Sequence, residues 1–116
     1  MCGIFGIVLN TKNIKKTDIC DLLINGLLQL QNRGYDSAGI CSIQNDQFTI
    51  NKYASTNTIN ALDKLISMKL NYNAYIGIGH NRWATHGMKT DINAHPHLSN
   101  DGNFVIVHNG IIENYN

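Results

Sequence analysis

The sequence predicts a single layered α+β domain. Its 116 residues suffice for one domain, and no internal repeat or linker divides them. Hydrophobic residues make up 43% of the chain, which is enough for a buried core. The predicted elements follow one another as strand, helix, hairpin, helix, strand and strand. This order favours an α+β arrangement over a regular βαβ winding.

The first two elements are predicted from apolar patterning. The β-branched and aromatic run at residues 4–9 predicts a buried strand. Thr17 or Asp18 is the predicted N-cap of a helix, and Gly34 is predicted to end it. The apolar face of this helix, at three- and four-residue spacing, comprises Ile19, Leu22, Leu23, Gly26, Leu27 and Leu30.

The rest of the chain predicts a hairpin, a second helix and two strands. Residues 37–43 and 47–53 flank a polar turn at 45–46, which predicts the hairpin. A shorter amphipathic helix is predicted from the spacing of Ile59, Leu62, Leu65 and Ile66. Residues 75–83 and 104–108 are the last predicted strands, and the final one follows a turn signal rich in Asn, Asp and Gly.

Composition and charge exclude several classes of function. The formal net charge is +1 without a basic stripe, so no nucleic-acid partner is expected. No apolar run reaches the roughly 18 residues of a membrane helix, and the short apolar start lacks the flanks of a signal peptide. We therefore expect a cytoplasmic protein that does not bind a membrane.

The three cysteines differ in their surroundings. Cys2, Cys20 and Cys41 are odd in number and form no CxxC pair, which argues against a disulfide framework and against a zinc ribbon. Cys20 and Cys41 lie within apolar runs, and we predict that both are small buried hydrophobes. Cys2 is distinguished by its position next to the start of the chain.

Cys2 is the first candidate for chemistry. An initiator methionine before a small side chain is normally removed, which would leave Cys2 with both a thiol and a free α-amine. Because an α-amine has a pKa of about 7.7–8.0, it can act as a base for the thiol near neutral pH, directly or through one water. The alternative is a frayed, inert chain start, which the strand predicted directly after Gly3 disfavours.

Two later clusters could bind a carboxylate or an oxyanion. Arg82 lies at the end of a predicted strand, where its planar fork suits a carboxylate. The alternative is a surface arginine beside a half-buried Trp83.

Asn109 and Gly110 follow the last predicted strand. They form either an ordinary turn or an oxyanion hole in which the Asn109 amide and the Gly110 N–H converge.

The five histidines raise the question of a metal site. His95 and His97 flank Pro96, but no cluster of Asp, Glu or Cys completes a ligand set around them. We therefore predict a turn stiffened by Pro96, and we expect neither a metal nor a cofactor.

Five motifs together carry a resemblance to one family. In chain order they are MCGI at the start, NRGYDSAG at 32–39, HNRWATHG at 80–87, AHPH at 94–97 and HNGIIEN at 108–114. This set closely resembles the glutaminase domain of the glutamine–fructose-6-phosphate aminotransferases, which are class II glutamine amidotransferases with an N-terminal nucleophile. Amidophosphoribosyltransferases and asparagine synthetases share the Cys-Gly-Ile start but are less similar in the other motifs.

The resemblance implies a fold and a reaction. The implied fold is the N-terminal-nucleophile hydrolase type, an αββα sandwich of two antiparallel sheets between helical layers. Cys2 would attack the side-chain amide of glutamine to give a glutamyl thioester and ammonia, and water would then release glutamate. Arg82 would hold the α-carboxylate of glutamine, with Thr85 and His86 completing that pocket.

The resemblance also implies further site residues and a use for the ammonia. Asn109 and Gly110 would form the oxyanion hole, and Trp83 would help to gate an ammonia channel. Arg33 and Tyr35 would lie beside the nucleophile. In the family, a sugar isomerase domain uses the ammonia to aminate fructose 6-phosphate to glucosamine 6-phosphate, a step of hexosamine biosynthesis.

The resemblance covers residues 1–116 and predicts that they are the N-terminal part of a glutaminase domain, incomplete at the C-terminus. The remainder of the domain, which carries the family's aspartate for the glutamine ammonium, and the isomerase domains are expected to be absent. Within this chain the carboxylates downstream of Arg82 are Asp91, Asp101 and Glu113. We therefore expect the isolated chain to hydrolyse glutamine poorly.

The expected partners follow from the same comparison. They are glutamine and the missing C-terminal half and isomerase domain, in cis or in trans, with a homodimer left open. The alternatives to an enzyme are a truncated, non-catalytic remnant or one piece of a split enzyme. A zinc-binding module is a more distant alternative.

Overall fold

The computed structural model describes residues 1–10 and 18–114, and it shows an α+β arrangement. Its elements in chain order are β1 (Gly3–Val8), α1 (Ile19–Gln29), a 3-10 turn (Gln31–Arg33), β2 (Ser37–Gln44), β3 (Gln47–Ala54), α2 (Ala61–Ser67), β4 (Ile76–Arg82), β5 (His97–Leu98) and β6 (Val105–Ile106). The predicted α+β class is confirmed. None of the helices in these described ranges is long and apolar enough to cross a membrane.

Four strands form an antiparallel sheet in the spatial order β1-β4-β2-β3, and β5 pairs with β6 in a separate two-stranded sheet. The register of β1 on β4 places Gly3 opposite Asn81. The register of β2 on β4 places Ser37 opposite Arg82. The start of the chain, the end of β4 and the segment that leads into β2 therefore meet at one end of the sheet.

Helix α1 begins where the sequence predicts and ends earlier. The Asp18 side chain caps it by accepting the Cys20 N–H at 2.9 Å, whereas Thr17, the other predicted cap, lies outside the described residues. Gly34 does not end the helix, which stops at Gln29. The Leu30 N–H bonds to the Leu27 carbonyl at 3.1 Å, and this shorter spacing tightens the chain into the 3-10 turn.

Both helices cover one face of the four-stranded sheet. The core there combines the buried side of α1 with Ala38 and Ile40 of β2 and with Leu62 and Leu65 of α2. The buried residues of α1 are Ile19, Cys20, Leu23, Ile24 and Leu27. The predicted face of α1 is therefore rotated, since Cys20 and Ile24 are buried in place of Leu22 and Gly26, which are only half-buried.

Cys20 and Cys41 are both buried, as predicted, with at most 2% of either residue exposed. Burial raises the pKa of the Cys20 thiol to about 12, and the neighbouring Asp18 carboxylate adds to this effect. Burial alone raises the pKa of the Cys41 thiol to about 11. Neither thiol is therefore ionised or accessible near neutral pH.

The hairpin prediction is confirmed, including its turn. Asn45 and Asp46 have φ angles of 51° and 59°, the left-handed pair that a two-residue hairpin turn requires. The predictions for the second helix and the last strand are partly wrong. Ile59 and Ile66 are exposed rather than packed, because α2 begins after Asn60 and buries Ala61 instead. The last strand, β6, spans only two residues, and its partner β5 was not predicted.

The prediction that the first strand is buried is also wrong. β1 forms an edge of the sheet, and only one of its faces packs against the helices. Part of its other face is an exposed apolar surface, because Val8 is opposite Ile76 and both side chains point away from the helices. The part of this face around His80 is covered by the segment that contains His95. The exposed members of this surface are Ile4, Val8, Ile43 and Ile76.

Candidate active site

Cys2 is held at the end of the sheet by the loop that follows β4. The Trp83 N–H donates to the Cys2 Sγ at 3.3 Å, and the thiol lies 3.6 Å from the Trp83 carbonyl oxygen, which accepts from it. Cys2 is half-buried, while Met1 is 83% exposed. The thiol that the sequence selects thus lies directly beside the Arg82–Trp83 segment, 81 residues away in the chain.

Arg82 shapes the loop that follows it. Arg82 is only 9% exposed, and its guanidinium donates to the Met88 carbonyl at 3.0 Å and to the His86 carbonyl. These two bonds curl residues 83–88 around the arginine head. The guanidinium that we predict to hold a carboxylate is therefore observed to organise the loop that contains Thr85 and His86.

Asp36 ties this loop to the beginning of β2. Its carboxylate accepts the Ala84 N–H at 2.7 Å and the Lys89 ammonium at 2.5 Å. Its own N–H donates to the Arg82 carbonyl at 3.0 Å. Burial raises the pKa of the Asp36 carboxyl, but the bonds from Lys89 and Ala84 and the charge of Arg82 outweigh burial, so the pKa is lowered overall.

Asp36→Asn is expected to destabilise the protein by about 1–3 kcal/mol at neutral pH, because Lys89 loses a charge-assisted bond. The folded-state pKa is lowered, so the stabilisation is present above the unfolded pKa of about 3.9 and is lost as pH falls through the folded value. Urea unfolding at pH 7 and at progressively lower pH measures the difference between the two proteins, which should shrink in acid. Asp63→Asn, an exposed change in α2, is the control and should have little effect. A wild-type advantage that grew in acid would contradict the assignment.

Gly34 allows the segment before β2 to lie against the end of β4. A Cβ at this position would be 2.5 Å from the Arg82 carbonyl carbon and 2.8 Å from the Trp83 nitrogen, closer than side chains tolerate. This contact brings the Tyr35 ring edge-on to the Trp83 ring, with centroids 5.5 Å apart. Arg33, in the preceding 3-10 turn, is exposed.

Asn109 contacts the backbone of Cys2, whereas Trp83 contacts its thiol. The side-chain Nδ2 of Asn109 donates to the Cys2 carbonyl oxygen at 3.1 Å, and its Oδ1 lies 2.9 Å from the His80 Nε2. Gly110 follows with a φ of 145°, a conformation that favours glycine, and a Cβ there would lie 3.0 Å from the His108 ring. The Asn-Gly pair thus forms a turn that suits glycine at its second position and places an amide beside the candidate nucleophile.

Three imidazole rings contact one another in sequence beside this turn: His80 and His95 are tilted by 34°, whereas His97 meets His95 edge to face at 74°. The His80 and His95 ring centroids are 4.4 Å apart, and the His95 and His97 centroids are also 4.4 Å apart. Burial lowers the pKa of all three, and for His95, where the neighbouring His80 and His97 add to it, the pKa falls to about 3. Across residues 1–10 and 18–114, no three His, Cys, Asp or Glu side chains are grouped so as to hold a metal ion.

These segments surround an open cleft of about 650 Å³. Six of the nine residues predicted for the site line it, namely Cys2, Arg82, Trp83, Thr85, His86 and Gly110. Asn109 contacts Cys2 without lining the cleft. Arg33 and Tyr35 also lie outside the cleft wall, and Tyr35 contacts Trp83, which lines it. Of the three downstream carboxylates, only Glu113 lines the cleft.

Sequence reasoning missed several residues of this site. His95 and His97 line the cleft, and their rings contact each other and, through His95, the ring of His80, although the sequence suggested only a stiff turn. Lys89 was not singled out, yet it pairs with Asp36. The HNRWATHG motif contains His80 and could have drawn attention to it, whereas nothing in the sequence shows that His80 would meet Asn109.

No family model matches the chain. It is, however, similar along its length to curated aminotransferases. It is 49% identical over 116 residues to a protein of Acanthamoeba polyphaga mimivirus named "probable glutamine–fructose-6-phosphate aminotransferase [isomerizing]". It is 49% and 44% identical to the glutamine–fructose-6-phosphate aminotransferases of Cyanidium caldarium and Corynebacterium glutamicum.

The alignments cover 99% of this chain in all three cases. These three relatives are all named as aminotransferases that use glutamine. In particular, the chain is homologous to one segment of the glutamine–fructose-6-phosphate aminotransferases, and the resemblance predicted from the motifs is confirmed. It spans about 18% of the length of these curated relatives.

Proposed function

We propose that this chain is the nucleophile-bearing part of a glutamine amidotransferase that hydrolyses the side-chain amide of glutamine. The observation that carries the proposal is the convergence on Cys2 of two distant segments. The Arg82–Trp83 segment touches its thiol, and Asn109 touches its carbonyl oxygen. Homology to enzymes whose names include glutamine supports glutamine as the substrate.

The proposed chemistry begins with removal of Met1, whose exposure leaves it accessible. The freed α-amine of Cys2 takes the thiol proton as Sγ attacks the amide carbon of glutamine. The developing oxyanion is stabilised by the Asn109 Nδ2 and the Gly110 N–H. The intermediate then collapses: the C–N bond breaks, and the nitrogen leaves as ammonia with the proton from the α-ammonium.

The second half of the reaction restores the enzyme. The α-amine takes a proton from water, and the resulting hydroxide attacks the thioester carbon. The C–S bond breaks, glutamate leaves and the Cys2 thiol regains the proton. Arg82 holds the glutamine α-carboxylate throughout, with Thr85 and His86 beside it in the cleft wall. Trp83 is proposed to gate the route by which ammonia leaves.

For the longer protein that the relatives represent, we propose transfer of this ammonia to fructose 6-phosphate to give glucosamine 6-phosphate. That step needs a sugar isomerase domain, in cis or in trans, and the proposed setting is cytoplasmic with a homodimer left open. The names of the relatives, which join glutamine to fructose 6-phosphate, support this assignment. Residues 1–116 would then be the N-terminal part of the glutaminase domain.

We further propose that the domain is the αββα sandwich of the N-terminal-nucleophile hydrolases. The support is the exposed apolar part of the four-stranded sheet (Ile4, Val8, Ile43 and Ile76), which lies on the face opposite α1 and α2 and beyond the part that the His95 segment covers. A surface of this kind suits packing against a second sheet. A structure of this chain joined to the segment that follows the matched region in a relative would test the second sheet.

The proposed function is tested by glutamine hydrolysis. The purified chain is assayed alone and with a separately supplied C-terminal part of a relative, with Cys2→Ala as the blank. We expect glutamate and ammonia in equal amounts, slowly from the chain alone and faster in the mixture. No release above the blank in either arm would overturn the enzymatic function and favour the non-catalytic remnant.

Arg82→Lys tests the carboxylate clamp. A lysine cannot form two parallel bonds with a carboxylate, so we expect the KM for glutamine to rise roughly 30- to 700-fold, from a loss of about 2–4 kcal/mol of binding. Part of the effect would come from the loop, because a lysine ammonium does not reproduce the planar fork that bonds the 86 and 88 carbonyls. Arg33→Lys is the matched control, exposed and outside the cleft wall. An unchanged KM for Arg82→Lys would leave that arginine a purely structural residue.

A further inference from the structure

His80 is fully buried at the centre of the site, with 0% of the residue exposed. It lies on β4, two residues before Arg82, and its side chain is on the face of the sheet opposite α1 and α2. Its Nε2 lies 2.9 Å from the Asn109 Oδ1, and the same Asn109 side chain reaches the Cys2 carbonyl oxygen at 3.1 Å. A single asparagine therefore connects a buried histidine to the candidate nucleophile.

The chemistry of these three groups fixes the direction of each bond. The Cys2 carbonyl oxygen can only accept, so the Asn109 atom that faces it must be the amide nitrogen. The amide oxygen then faces His80 and must accept. The His80 Nε2 is therefore the donor and carries the proton, which assigns the Nε2–H tautomer to this ring.

The surroundings of His80 keep the ring neutral and in place. Burial lowers its pKa, the nearby Arg82 charge and His97 lower it further, and these effects outweigh the Asn109 bond and the His108 backbone, which raise it. The ring stacks on His95, itself neutral because its pKa is lowered to about 3. A neutral ring has one N–H, and here it is directed at Asn109.

We infer that His80 is a positioning residue that sets the orientation of the Asn109 amide. By donating to the amide oxygen, His80 keeps both N–H bonds of Nδ2 on the Cys2 side of the turn. One of them donates to the Cys2 carbonyl oxygen, and the second is left for the oxyanion. Without the His80 donor, the amide could rotate and present its oxygen to the developing negative charge. This inference rests on the proposed function.

A double-mutant cycle tests the inference by steady-state kinetics of glutamine hydrolysis. Each variant is assayed in the mixture of this chain with the C-terminal part of a relative. His80→Leu, of similar size but without a donor, should lower kcat roughly 10- to 100-fold and leave the KM for glutamine within about threefold. His80→Gln places an amide N–H near the Nε2 position and should recover most of the lost kcat. In an Asn109→Ala background, His80→Leu should cost less than about threefold, because the group through which it acts is gone.

Thermal melts of each variant separate this role from folding. A His80→Leu protein that melts like His80→Gln but turns over more slowly supports positioning. Full additivity of the His80→Leu and Asn109→Ala losses would overturn it, as would a rise in KM without a fall in kcat. If His80→Leu does not fold, His80→Asn, whose shorter amide does not reach the Asn109 Oδ1, takes its place in the same cycle, and an equal loss in both Asn109 backgrounds would overturn the inference.

An imidazole ¹⁵N NMR spectrum of the chain tests the hydrogen bond without any activity. We expect the His80 proton on Nε2, and we expect that signal to shift or to exchange faster in Asn109→Ala. A proton on Nδ1 would overturn the inference. If the wild-type protein releases no ammonia in any arm, the proposed function fails, and the spectrum alone decides whether His80 orients Asn109.

Discussion

Cys2→Ala is expected to abolish glutamine hydrolysis and the formation of any glutamyl-enzyme. Of the three cysteines, only Cys2 lies in the cleft, whereas burial raises the pKa of Cys20 to about 12 and that of Cys41 to about 11. No other thiol can therefore take its place. Cys2→Ser should be severely impaired, since a hydroxyl is much harder to ionise than a thiol.

The measurement is intact-mass spectrometry after treatment with a diazo-ketone analogue of glutamine. We expect loss of Met1 from the purified protein and one adduct per chain, mapped by peptide digestion to Cys2. Cys20→Ala and Cys41→Ala are the matched controls, and both should be labelled like wild type if they fold. An adduct on Cys20 or Cys41 with Cys2 unmodified would show that the nucleophile has been misassigned.

Asn109→Asp is expected to lower kcat on the order of a hundredfold or more with little change in folding. The substitution keeps the size of the side chain but replaces the Nδ2 donor by a carboxylate oxygen. That oxygen would face the Cys2 carbonyl oxygen, which also only accepts, and it would repel the negative charge of the tetrahedral intermediate.

Asn93→Asp provides a matched control for this change. Asn93 lines the cleft and, like Asn109, donates from its side-chain amide, in this case to the Met88 carbonyl at 3.0 Å. The same change of charge and hydrogen bonding is thus made in the wall of the cleft, without a contact to Cys2. Steady-state kinetics of the two variants should differ by more than tenfold in kcat. Equal losses would mean that Asn109 contributes only to the general charge of the cleft.

Local sequence signals account for the elements that form from short-range interactions. The Asn45-Asp46 turn fixes its hairpin because both residues tolerate left-handed backbone conformations, and Asp18 caps α1 through a bond to a residue two positions away. The edge position of β1, which leaves one of its faces partly exposed, could not be predicted in this way. Its apolar run is compatible with a central strand, and its edge position depends on pairing with β4, some 70 residues later.

The same distinction applies to the candidate site. Cys2, Arg82 and Gly110 carry unusual chemistry or backbone needs, so the motifs alone indicate them. The partnership of Asp36 with Lys89 and that of His80 with Asn109 arise from the register of β4 against its neighbours and from the path of later loops. A one-residue change in register would turn His80 to the helical face, so only the folded structure reveals these pairs.

Gly34 has a consequence for mutational scanning of this protein. A methyl group added there would displace the backbone of the Arg82–Trp83 segment, although Gly34 itself performs no chemistry. A sensitivity map would therefore rank Gly34 beside Cys2, and activity scores alone would not distinguish the two. Chemical rescue would separate them, because an added small thiol can substitute for a lost nucleophile but cannot return a backbone to its place.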